Sequence, residues 1–75
     1  MVKKKSHVSN RLRALREAAG DMTQQALAEE VGVTRQTIIA IEQGRFCPSL
    51  ETALRLAQVF NRTVDDIFTL DLPQG

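Results

Sequence analysis

Aromatic side chains are scarce in this 75-residue chain, which has three phenylalanines, Phe46, Phe60 and Phe68, and neither tryptophan nor tyrosine. Binding single-stranded nucleic acid by base stacking needs a platform of rings, so the composition argues against that class. The single cysteine, Cys47, excludes an intramolecular disulfide and fits a reducing compartment. In a loop, a lone thiol of this kind is usually inert. With one histidine, His7, and no cluster of metal-ligand residues, neither a metal nor a cofactor is expected. No Ser/His/Asp or Cys/His set and no glycine-rich phosphate loop is present, so the chain is not expected to be an enzyme. There is no apolar run near the roughly 18 residues of a membrane span. The basic start is not followed by an apolar core, so it does not read as a signal peptide. A cytoplasmic protein is expected.

What is present describes one globular unit. At 43% hydrophobic and 25% charged residues the chain is too apolar for disorder. A domain this short buries only about 60% of its unfolded surface, so its stability margin is small. The net charge of +1 hides an uneven distribution. Lys3, Lys4, Lys5, Arg11, Arg13 and Arg16 occupy the first 16 residues without an acid, and the remainder carries a balance of −5. Local potential matters more than the sum for contact with nucleic acid. The lysine run fits a solvated tail as well as it fits an arm touching phosphates.

Apolar spacing predicts five helices and no strand, an all-α chain. The first is expected from about Asn10 to Ala19, capped by Ser9, with Val8, Leu12, Leu15 and Ala19 on one face and Gly20-Asp21 ending it. The second runs from Gln24 to Val31 behind Thr23, with Leu27, Ala28 and Val31 inward. The third runs from Arg35 to Gln43, between the cap Thr34 and the stop Gly44. The fourth runs from Leu50 to Phe60 behind Ser49, with Leu50, Ala53, Leu54, Ala57 and Phe60 as its apolar stripe. A short fifth, Val64 to Phe68, follows the cap Thr63 and carries Asp65 and Asp66 where the helix dipole favours acids. The expected organisation is a flexible basic arm over residues 1–8, a domain over 9–70 and a tail over 71–75.

The turn Val31-Gly32-Val33-Thr34 carries the most information. Gly32 stands where a chain leaving a helix needs positive φ. Thr34 is placed to cap the next helix, and Val33 and Ile38 stand at staple positions around it. Two short helices joined in this way form a helix-turn-helix, whose second helix enters the major groove of DNA. With Arg35 at zero, Ile39, Gln43, Gln36 and Ala40 project at about 40°, 80°, 100° and 140°. Ile38 and Ile41 project at about 300° and 240°, on the opposite side. Arginine matches the O6 and N7 acceptors of guanine, glutamine matches N6 and N7 of adenine, and Ile39 and Ala40 suit a thymine methyl. Taken alone, the polar groups also fit an ordinary solvated face. Ile39 is the residue such a face does not explain, and a base or a partner protein would each account for it.

The ordered set Thr23-Gln24, Leu27-Ala28, Val31-Gly32-Val33-Thr34, Ile38, Ile41-Glu42-Gln43-Gly44 and Pro48-Ser49-Leu50 resembles the Cro/CI-type helix-turn-helix regulators, the Xre family, over about residues 9–70. The resemblance implies a five-helix, lambda-repressor-like DNA-binding domain that regulates transcription, with repression by occlusion expected. It assigns base reading to Arg35, Gln36, Thr37, Ile39 and Ala40. Phosphate contacts fall to Gln24, Thr34, Gln43 and Arg45, and a structural ion pair to Arg16 and Glu42. Asp21-Met22 makes the first turn one residue longer than in many relatives and puts an acid near the expected backbone contact. Related regulators often form dimers through the C-terminal end. Here Val64, Ile67, Phe68 and Leu70, with Leu72, offer an apolar edge that an isologous homodimer would bury. Two recognition helices about 34 Å apart would then read a palindrome. A monomer would use the same residues to finish its core. An antitoxin that binds a toxin protein and represses its own promoter shares this fold, as does a pure protein adaptor. No second domain for a small-molecule effector is evident.

Overall fold

Leu12, Leu27, Ile38, Ile41, Leu56 and Ile67 are fully buried side chains, and each comes from a different part of the chain or a different helix turn. The structure, a computed structural model, describes residues 7–71. Its elements in chain order are β1 (Val8–Asn10), α1 (Leu12–Ala18), α2 (Gln24–Val31), α3 (Arg35–Glu42), α4 (Leu50–Phe60), α5 (Val64–Ile67) and β2 (Phe68–Leu70). Leu15, Ala28, Val31 and Ala57 complete the cluster, with Met22, Val33, Val59, Phe60, Val64 and Phe68 packed around it. Burying each large aliphatic side chain contributes about 1.5–3 kcal/mol, the main force holding these short helices together.

Capping fixes where the helices start. The hydroxyls of Thr23, Thr34 and Ser49 accept hydrogen bonds from the backbone N–H groups of Ala26, Thr37 and Thr52. Thr63 does the same for Asp66, whose carboxylate accepts from the Thr63 N–H in return, a reciprocal capping box. At the other end of α2, Gly32 adopts φ +77° and donates its N–H to the Ala28 carbonyl. A side chain there would be strained in the left-handed region. Val33 packs onto the cluster that contains Ile38, so the turn is held from both sides.

Several expectations need correction. The chain is not purely helical: β1 and β2 form a two-stranded antiparallel sheet with Val8 opposite Leu70, Ser9 opposite Thr69 and Asn10 opposite Phe68. Val8 and Ser9 therefore belong to a strand, and the folded region begins before residue 9. Ser9 caps nothing; the Asn10 side-chain oxygen accepts from the Leu12 N–H, and α1 begins there. Its amide nitrogen also donates to the Ile41 carbonyl at 2.8 Å, tying β1 to the end of α3. Ala19 is exposed, not part of a buried face. The stripe on α4 is rotated from expectation: Ala53, Leu56 and Ala57 face the core, while Leu50 and Leu54 are exposed. Finally, α5 stops at Ile67, because Phe68 turns to extended backbone and starts β2. The Lys3-Lys4-Lys5 arm and Leu72 lie outside the described residues.

Candidate nucleic-acid interface

In α3, inward and outward faces are chemically distinct. Ile38 and Ile41 are fully buried. Arg35, Gln36 and Gln43 are exposed, and Thr37, Ile39 and Ala40 are half-buried beside them. Ile39 lines a groove of about 830 Å³ whose walls include Arg13, Arg16 and Glu17 of α1, Gln24 of α2, Arg35 of α3 and Gln43 at the α3 C-cap. Among the described residues, the side chains of Arg35, Gln36, Gln43 and Arg45 make no hydrogen bond or ion pair within the chain. Their donors and acceptors are left to an outside partner.

Behind this free face lies a fully used one. Arg16 donates from Nε to Glu42 Oε2 at 2.7 Å and from Nη2 to Glu42 Oε1 at 3.1 Å, a bidentate pair with side chains only 12% and 6% exposed. The hydrogen bond to the carboxylate pushes the Arg16 guanidinium further above its ordinary pKa, against the opposing effect of burial. Nη1 of Arg16 donates to the Met22 carbonyl at 2.7 Å. The turn after α1 serves this contact: Gly20 and Asp21 both take positive φ and fold Met22 back onto α1, where its N–H bonds the Arg16 carbonyl. Asp21 itself is exposed. Gln24 Nε2 donates to Glu42 Oε1 at 3.1 Å, so α1, α2 and α3 meet at one carboxylate. Fork geometry suits arginine here, and lysine would not reproduce it.

Other expected site residues sort as follows. Thr34 and Thr37 are 3.0 Å apart between hydroxyls, and Thr34 also caps α3. Much of their hydrogen-bonding capacity is thus spent locally. The α2 and α3 first turns hold no acid, unlike those of α4 and α5, so no acid of their own offsets the positive end of the helix dipole. Ile67, expected at a partner surface, is fully buried in the core, with Val64 and Phe68 packed half-buried around it. Of that group only Leu70 stands clear, at 65% exposed. Among the described residues, Phe46, Leu50 and Leu54 are the other large exposed apolar side chains. Arg13 and Glu17 also line the groove, beyond the expected set. Placing Arg13, Arg16 and Glu17 on one helical face, at spacings of three and four, would have found them.

No group of three or more possible metal ligands occurs among the described residues, and no helix there is long and apolar enough to cross a membrane. Two capped helices at a tight turn, with a polar face directed outward, define a helix-turn-helix DNA-binding domain. A helix-turn-helix family model matches residues 12–67. An HTH-type transcriptional regulator of Methanothermobacter thermautotrophicus is 59% identical over 51 residues, covering 67% of this chain and 74% of that one. The HTH-type transcriptional regulator YgzD of Bacillus subtilis is 42% identical over 64 residues, covering 85% and 96%. Among solved structures, the restriction-modification controller protein C.AhdI from Aeromonas hydrophila superposes with a TM-score of 0.68 at 34% identity, covering 75% of this chain and 83% of that one. A protein from Bacteroides fragilis shares the fold at 24% identity, with a TM-score of 0.71 over 83% of this chain and 98% of that one. This chain belongs to the Cro/CI-type (Xre) family of helix-turn-helix transcriptional regulators, a family of DNA-binding proteins and not of enzymes.

Proposed function

We propose that this protein is a cytoplasmic, sequence-specific repressor that binds a palindromic operator in double-stranded DNA as a homodimer. The observation that carries the reading is the outward face of α3, where Arg35, Gln36 and Gln43 are free of internal partners on a helix anchored from behind by Glu42. Arg35 and Gln36 stand at the N-terminal end of α3, the end that reaches base edges in this motif. Ile39 and Ala40 supply apolar contact, and Thr37 supports the same surface. Gln43 and Arg45 lie toward the backbone, joined by the N-terminal turns of α2 at Gln24 and of α3 at Thr34. Phosphate contacts hold the register, and base contacts carry the sequence.

A dimer is supported by the exposed Leu70, Leu54 and Leu50, which a second copy would cover. The same leucines favour one alternative, an antitoxin whose apolar surface takes a toxin protein and whose DNA binding provides autoregulation. Selection of bound duplexes from a random library at physiological salt separates the two. The repressor reading expects an enriched palindrome with half-site centres about ten base pairs apart. Purely salt-sensitive binding with no enriched sequence would overturn it.

A further inference from the structure

Arg13 and Glu17 form an ion pair on the α1 wall of the groove, with Arg13 Nε 3.1 Å from Glu17 Oε2 and side chains 74% and 54% exposed. The pair is a poor stabilising device. Both groups stand in water, where such contacts are worth little, and the arginine precedes the glutamate, the less favourable order along a helix. The other acid on the groove wall, Glu42, is consumed by Arg16 and Gln24. Glu17 is thus left holding a single, exposed cation beside the free side chains of α3.

We propose that Arg13 is an additional phosphate-contacting residue held in check by Glu17: on docking, its guanidinium exchanges the carboxylate for a phosphate oxygen. The inference rests on the reading that the groove side of α1–α3 receives duplex DNA. A phosphate offers the same paired acceptors as a carboxylate, so the fork of Arg13 fits either. The exchange trades one charge-assisted hydrogen bond for another and leaves Glu17 unpaired beside an anionic strand. The arginine therefore gains less from the phosphate than it would without its partner, and Glu17 acts as a brake on sequence-independent binding.

The test is fluorescence anisotropy of the full chain with a mixed-sequence duplex across about 50–200 mM salt. Both side chains are exposed, so the variants keep the wild-type melting temperature and changes in affinity report contact with DNA. Arg13→Gln is expected to weaken binding by on the order of tenfold and to make the log–log salt slope shallower by about one. Glu17→Gln is expected to tighten binding by about three- to tenfold, the size of removing one nearby charge. In the double variant most of that gain disappears, because no arginine remains to be released. A gain that persists in full without Arg13 would mean simple repulsion by Glu17 and would overturn the exchange. Salt-dependent binding by the wild type with both single variants unchanged would overturn it as well, while leaving the DNA reading intact. Failure of the wild type to bind any duplex would instead remove the DNA reading, and this inference with it.

Discussion

The two ends of this small domain use the same helix-capping chemistry to opposite purposes. At α4 and α5, caps Ser49 and Thr63 are followed by acids in the first turn, Glu51 in one and Asp65 and Asp66 in the other. Those acids satisfy the helix dipole, and Glu51 also pairs with Arg55 at 2.7 Å. At α2 and α3 the caps Thr23 and Thr34 are followed by glutamine, alanine, arginine and threonine, and neither first turn carries an acid of its own. One end closes its own electrostatics, and the other leaves them open. On the proposed reading binding falls to the open end, although α2 and α3 also bury Leu27, Val31, Ile38 and Ile41 in the core, and the Arg16–Glu42–Gln24 network fixes how that end is held.

That contrast can be broken from the stabilising side first. Glu42→Ala leaves the Arg16 guanidinium, 12% exposed, without its carboxylate, and the loss expected is about 3–5 kcal/mol. Thermal and urea unfolding measure it, and a loss below 1 kcal/mol would show that the pair is not the anchor of α3. Next, Leu56→Ala should cost about 2–5 kcal/mol, since Leu56 is fully buried, whereas Leu54→Ala one turn-face away should cost under about 0.5 kcal/mol. Equal losses would place the buried stripe of α4 where the local pattern first suggested. On the binding side, Gln36→Ala should leave the melting temperature unchanged and remove about 1–3 kcal/mol of discrimination between operator and unrelated duplex. Competition binding against both sequences reads this directly; a uniform loss on the two would move Gln36 from base reading to backbone contact.

The smallest expected effect concerns acid. Thr63 hydrogen bonds, led by its backbone N–H, hold the Asp66 carboxyl below its ordinary pKa. A depressed folded-state pKa stabilises the fold above the unfolded value and loses that contribution as pH falls through the folded one. The capping box should therefore be intact at neutral pH and fade only below the usual carboxylate range. Asp66→Asn should flatten the acid limb of the stability curve without altering its neutral plateau beyond the loss of one exposed cap.

Much of the architecture is legible in the sequence, and the reason is local. The starts of α2, α3 and α4 are set by a cap hydroxyl and a backbone N–H three residues later, and both ends of each bond lie in one short segment. What escaped was non-local. Val8 sits four residues before Leu12, which imitates a helical stripe, yet it pairs with Leu70, 62 residues away. Nothing near Val8 announces that partner. Similarly, Leu54 and Leu56 both lie on plausible apolar stripes of α4, and only the position of the other helices decides which one is buried. At the site, the outward side of α3 follows from the opposed isoleucines Ile38 and Ile41. The role of Gln24 was harder, because its amide is shared with Glu42 from another helix.

The most direct measurement is a backbone NMR titration of this 8.4 kDa protein with a duplex recovered by selection. If α2 and α3 form the open end, amide shifts should concentrate at residues 23–25 and 34–45, with α4 and α5 nearly silent apart from Leu50. Shifts concentrated instead along residues 50–67, with Arg35, Gln36 and Ile39 unmoved, would contradict the assignment of the recognition face.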